Sequence, residues 1–204
     1  MDKRTLLRST VAALLAAGTL LLGACSDSSQ PGFTSIDLTG ADYARDFALT
    51  DHDNKPRTLK DFQGKVVVMF FGYTQCPDVC PTTMTELVAV KKLLGADADK
   101  LQVLFVTVDP ERDKPEMLKP YMANFDPTFL ALYPETPEKL AAVAKDYKVY
   151  YKRVEGKTPT SYTMDHSAGT YIYDTQGRLR LYSRYGSGAG ALASDIKLLL
   201  KQQK

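Results

Sequence analysis

The sequence predicts an α/β fold: a central mixed sheet flanked by helices, with an N-terminal extension. Three observations predict it. "KVVVMFF", 65–71, and "LQVLFVTVD", 101–109, are continuous apolar, β-branched runs, the pattern of strands buried on both faces. Between them, Met84, Leu87, Val88 and the run 90–94 recur with helical spacing, so the three segments form a βαβ unit with parallel strands and a right-handed crossover. Further on, "GTYIYD" and "LRLYSRY" alternate around "TQGR". That hairpin makes the sheet mixed.

The extension comes first. Residues 1–24 have the layout of an export signal. A charged start, "MDKRTLLR", precedes sixteen uncharged residues, "STVAALLAAGTLLLGA", and then Cys25. "LLGAC" resembles a bacterial lipobox, with Leu22 at −3 and small Gly23 and Ala24 before the cysteine. In such signals the cysteine is diacylated and becomes the mature N-terminus, and two chains anchor stably where one is marginal. The alternative is an uncleaved membrane helix, but sixteen residues fall short of the roughly 20 that span a bilayer. Either way the rest of the chain is expected outside the cytoplasm and tethered to a membrane. Residues 25–40 read as a tether and 41–204 as one folded domain.

Composition fits a single core: 204 residues, 44% hydrophobic and 25% charged. The net charge of +2 comes from Lys3, Arg4 and Arg8 set against Asp2, so the remainder is neutral. A neutral body excludes nucleic acid as a partner class.

In the domain, Phe47 and Leu49 alternate as a short strand and "DHDNK" is a turn. "TLKDF" is a helical turn with Leu59 and Phe62 inward. Strand 65–71 follows, then a helix expected to start at Pro81 with Cys80 as its cap, because proline favours the first helical position. After strand 101–109, "KPEMLKPYMANF" is a helix expected to break at Pro120. "FLALY" is a strand. "TPEKLAAVAKDYK" is a helix with Thr136 as N-cap and Pro137 first. "VYYKRV" is a strand, "EGKTPTSYTMDHS" a long polar excursion, and "GALASDIKLLLKQQ" an amphipathic closing helix.

Cys76 and Cys80 sit where strand 65–71 hands over to the helix, the place where α/β sheets build sites. With Cys25 lipidated, they remain as a pair. A disulfide bond between them is possible outside the cytoplasm, but its loop is too small to brace the fold much. Electron exchange and metal binding stay open. At the positive end of a helix, Cys80 is expected to be the thiolate. Paired thiolates suit Cu(I) first and Zn(II) second. Of the two histidines, His52 reads as a solvated turn residue, and His166 lies before a strand, as a third ligand or a loop-fixing side chain. Asp78 is a metal neighbour or a helix cap. Asp109, Arg112 and Asp113 support the site or order their own loop. Met164 reads as packing, and Tyr150, Tyr151, Tyr171 and Tyr173 as core and flank.

The motifs "GYTQCPDVCPTTM", "VTVDPERD" and "DHSAGTYIYD" occur in order across residues 45–200. Their layout resembles a thioredoxin-like three-layer sandwich in which His166 stands where a cis-proline loop is usual. Together they resemble the Sco/SenC family of copper-binding assembly factors for cytochrome c oxidase. The resemblance implies copper, as Cu(I) or Cu(II), held by Cys76, Cys80 and His166. It implies delivery to the dinuclear copper site of an oxidase subunit, or reduction of that subunit's cysteines. It further implies other copper chaperones or thiol reductants as partners, and a periplasmic face of the inner membrane. Gln75 departs from the family, which often has histidine there. The rival function is a thiol-disulfide oxidoreductase, disfavoured by the lack of C-x-x-C and of the cis-proline loop. A peroxidase lacks the threonine–cysteine arrangement it needs.

Overall fold

Seven consecutive buried residues, Val66–Gly72, form the strand on which the sheet is built. In the computed structural model the described residues are 32–158 and 161–202. The segment read as an export signal, and Cys25, lie outside them. The elements in chain order are β1 (Ile36–Asp37), β2 (Leu49–Asp51), β3 (Pro56–Arg57), β4 (Val66–Gly72), α1 (Val79–Leu94) and β5 (Leu101–Thr107). There follow α2 (Pro115–Ala123), β6 (Leu130–Tyr133), α3 (Pro137–Asp146), β7 (Tyr151–Glu155), β8 (Tyr162–His166), β9 (Thr170–Tyr173), β10 (Leu179–Ser183) and α4 (Ala189–Lys201).

The main sheet has eight strands in the order β1-β10-β9-β4-β5-β6-β2-β3. β4 pairs in parallel with β5, and β5 with β6; β9 pairs antiparallel with β4. The sheet is mixed and helices flank it, as the hydrophobic runs predict. Phe70 pairs with Thr170, Thr170 with Ser183, and Ile36 with Tyr182. The start of β1 therefore lies at the same end of the sheet as the carboxyl end of β4.

Several boundaries differ from the sequence reading. Helix α1 begins at Val79 with Asp78 as N-cap, two residues before Pro81. Pro81 is then the third helical residue. The first four helical N–H groups have no partner within the helix, so a proline there forfeits no bond. Helix α2 runs through Pro120 unbroken. A mid-helix proline costs about 3 kcal/mol. Leu118 and Met122 flank it and are fully buried, and each contributes about 1.5–3 kcal/mol.

The polar excursion is a β-hairpin. β7 and β8 pair antiparallel from Tyr151↔His166 to Glu155↔Tyr162, as a two-stranded sheet of their own. Both strands are mostly exposed, so no apolar period marks them. Within the stretch read as a tether, Ile36–Asp37 adds an edge strand, and Thr34 and Ser35 bond to buried Asp195 of α4. The 3-10 turn Leu59–Phe62 buries Leu59 and Phe62, and Thr136 caps α3 by accepting from the Lys139 N–H at 3.2 Å, both as expected.

Candidate metal centre

The site stands on Gly72, the last residue of β4. A Cβ there would lie 2.8 Å from the Cys80 sulfur and 2.9 Å from the Phe105 ring, so glycine lets the helix close onto the strand end. The chain then turns through residues 73–78. The Cys76 N–H donates to the Tyr73 carbonyl at 3.3 Å. Buried Asp113 pins the turn from below: the Thr74 N–H and hydroxyl and the Thr107 hydroxyl all donate to its carboxylate. Burial raises the Asp113 pKa despite these bonds.

Cys80 is fully buried in the first turn of α1, and Cys76 is half-buried before it. The Cys80 N–H, without a partner in its helix, donates to the Cys76 sulfur at 3.4 Å. The thiolate is therefore Cys76, not Cys80 as the sequence reading expected. A bond from the Cys80 thiol is the main cause that brings Cys76 down to about 4, with help from the Asp78 and Cys80 N–H groups and against its burial. Cys80 is pushed up, because its proton is shared with Cys76 and because it is buried. The helix end does stabilise a thiolate. Its free N–H groups point at the residue outside the helix.

His166 ends β8. Its Nε2 lies 3.5 Å from the Cys80 sulfur, and its Nδ1 lies 3.0 Å from the Ser167 carbonyl oxygen. A carbonyl only accepts, so Nδ1 carries the proton and Nε2 turns its lone pair to the sulfurs. The rings of Phe70 and Tyr73 meet the imidazole at right angles, with centroids 6.0 and 5.8 Å away. The ligand atoms of Cys76, Cys80 and His166 lie within 4.8 Å of one another, a group able to hold a metal ion. An open cavity of about 410 Å³ adjoins it, lined in part by Pro77, Tyr150 and Met164.

The other candidates sort as follows. Asp78 is exposed and occupies the N-cap position of α1, but its carboxylate accepts no helix N–H; it accepts from the Thr82 hydroxyl at 3.4 Å. Arg112 pairs with Asp109 and reaches Gln75, so the "DPERD" loop orders itself and also touches the cysteine turn. Met164 packs against the core. Tyr171 and Tyr173 are core, but Tyr150 is 57% exposed at the cavity mouth. His52 is not solvated. It is buried, its Nδ1 accepts from the Ala131 N–H at 3.2 Å, and burial lowers its pKa. β2, paired between β6 and β3, carries it onto β6, which a turn signal cannot reveal. Sequence reasoning missed Thr74, Thr107 and Tyr162, whose hydroxyls bond to Asp113 and Asp109. No local pattern signals them, because their partners are remote.

The SCO1/SenC family model matches residues 36–201. This chain belongs to the SCO1/SenC family. Among solved structures, Bradyrhizobium japonicum ScoI with copper bound is 42% identical, with TM-score 0.69, covering 76% of this chain and 98% of that one. Apo Sco1 of Thermus thermophilus is 37% identical, with TM-score 0.73 over 84% and 99%. The mouse mitochondrial SCO2 homolog is 38% identical over 154 residues, 74% of this chain and 60% of the relative. The chain thus matches about three fifths of that relative's length. The thioredoxin-like architecture of Sco proteins is the architecture of this chain. Among the described residues no helix is long and apolar enough to cross a membrane.

Proposed function

We propose that this protein is a membrane-tethered copper carrier that binds copper as cargo through Cys76, Cys80 and His166. It delivers that copper to the dinuclear copper site of cytochrome c oxidase. The observation that carries this reading is the contact of His166 Nε2 with the Cys80 sulfur at 3.5 Å, with Nδ1 already committed to a carbonyl. Two soft sulfurs suit Cu(I), and an added imidazole allows Cu(II). The donor set therefore fits a metal that changes oxidation state while it is passed on. One sulfur is buried and one faces the open cavity, so an acceptor's ligands have a route to displace the carrier's. The copper-bound Bradyrhizobium japonicum relative supports copper as the cargo.

Cys25 is the proposed lipid anchor, placing the protein at the periplasmic face of the inner membrane. The first residues of β1 lie at the metal-site end of the sheet.

A second reading draws on the unequal thiols. Cys76 is a half-exposed thiolate beside a buried, protonated Cys80. Cys76 would attack a partner disulfide and release one partner thiolate; that thiolate would take the Cys80 proton, and the Cys80 thiolate would then displace the second partner thiolate and leave a Cys76–Cys80 disulfide. Such a reduction would prepare the acceptor's cysteines for metal.

The test is copper binding by the full chain and by Cys76→Ser, Cys80→Ser and His166→Ala variants. We expect one copper per chain, lost for Cu(I) in either serine variant. His166→Ala should chiefly weaken Cu(II) and alter its optical spectrum. An unchanged spectrum in His166→Ala would refute the ligand assignment. Rapid reduction of a partner disulfide by copper-free protein, with weak copper binding, would favour the second reading.

A further inference from the structure

The hairpin that carries His166 lies outside the main sheet, so no strand ladder fixes β8 against the cysteine turn. Two side chains span that gap: Tyr73 of the turn, which bonds to the Met164 backbone and meets the His166 ring, and Arg112. Arg112, in the loop after β5, donates from one terminal nitrogen to the Tyr162 carbonyl at 3.0 Å and to Gln75 Oε1 at 3.2 Å. Tyr162 begins β8, four residues before His166; Gln75 immediately precedes Cys76.

The guanidinium is itself held in place. Its Nε donates to Asp109, and Asp109 also accepts from the Tyr162 hydroxyl at 2.8 Å. Its Cζ lies 3.5 Å from the centre of the Tyr162 ring and 5.8 Å from that of Tyr73. Among the described residues its other terminal nitrogen has no hydrogen-bond partner. A guanidinium only 17% exposed is costly to desolvate, so stability alone is a poor reason for this arrangement.

We propose that Arg112 is a positioning residue that sets His166 against Cys76 and Cys80, and that Gln75 is its acceptor on the cysteine turn. The inference rests on the copper-carrier reading. It gives Gln75 a role: not a ligand, but an anchor for the fork of Arg112. Lysine cannot replace it, because one ammonium cannot stack on Tyr162 and reach Asp109, Gln75 and the Tyr162 carbonyl together.

The consequence is selective. Cu(I) relies on the two sulfurs, which Gly72, Asp113 and α1 hold independently of Arg112. Cu(II) draws more on the imidazole, which Arg112 places. Loss of such a supporting contact costs about 10- to 100-fold in metal affinity.

The experiment uses the full chain and its Arg112→Lys and Gln75→Ala variants. In metal-free protein, NMR contacts from the His166 ring to Phe70 and Tyr73 should weaken in Arg112→Lys. Its Cu(II) affinity should fall about 10- to 100-fold with an altered electron paramagnetic resonance spectrum, and its Cu(I) affinity should persist. Gln75→Ala should do the same to a lesser degree, and it stands alone if Arg112→Lys does not fold. Unchanged ring contacts and Cu(II) spectra overturn the proposal. So does a parallel fall of Cu(I) and Cu(II) affinity with thermal midpoint, which marks a purely structural bracket. The metal-free ring contacts keep this outcome separate from any failure of the copper reading.

Discussion

The Cys80 sulfur and the Nε2 of His166 lie 3.5 Å apart although 86 residues separate them in the chain. Two unrelated supports create the contact. The βαβ unit places Cys80 at the end of β4, and β9, paired to the other edge of β4, brings the end of the hairpin back to the same point. A metal site assembled this way exists only when both edges of β4 are paired.

The unequal thiols make stability depend on pH. Cys76 is held down to about 4 when folded and titrates near 8.5 when unfolded. Between these values the unfolded chain holds a proton that the folded chain has lost, so stability from Cys76 grows as pH rises. It is absent below about 4 and complete above the unfolded value. Cys80, raised in the fold, acts in the opposite sense above the unfolded thiol value. In urea unfolding of metal-free protein, the advantage of wild type over Cys76→Ser should be larger at pH 8 than at pH 5. Equal differences would remove Cys76 as the thiolate. Alkylation should likewise modify Cys76 at both pH values and leave Cys80 intact.

Much of this was legible in the sequence, and the reasons are physical. β4 and β5 carry unbroken apolar runs because both their faces are covered. α3 carries its cap and its proline in plain view. The site residues stand out because Cys76, Cys80 and His166 have few competitors in a chain with three cysteines and two histidines. The rest depended on remote partners. β8 is exposed and polar, so its pairing with β7 left no period. His52 is buried by Ala131, 79 residues away. The choice of Cys76 over Cys80 as thiolate turned on a helix start two residues earlier than proline suggested.

Gly72 is predicted to be irreplaceable. A methyl there meets the Phe70 ring at 2.7 Å, the Cys80 sulfur at 2.8 Å and the Phe105 ring at 2.9 Å. All three neighbours are fully buried, so none can retreat. Gly72→Ala should destabilise the fold by about 1–3 kcal/mol, the usual cost of overpacking. It should also displace the Cys80 sulfur and weaken Cu(I) binding. Urea unfolding and a competitive Cu(I) titration would check both. Wild-type stability in the variant would show that the strand end and α1 are not in contact at this point.

Asp195 holds the segment that leads into β1. Its buried carboxylate accepts from the Thr34 N–H and the Ser35 N–H, each at 2.8 Å, and from the Thr34 hydroxyl at 2.9 Å. The next segment, β1, is only two residues long and sits at the sheet edge, too short a ladder to hold by itself. Asp195→Ala should release Thr34 and Ser35 and destabilise the domain by about 1–3 kcal/mol, the cost of unmade bonds to a buried charge. Amide hydrogen exchange at Thr34 and Ser35 should quicken, while Cu(I) and Cu(II) affinities stay at wild-type values because the carboxylate touches no part of the metal centre. Unchanged exchange at Thr34 and Ser35 would show that Asp195 does not hold this segment.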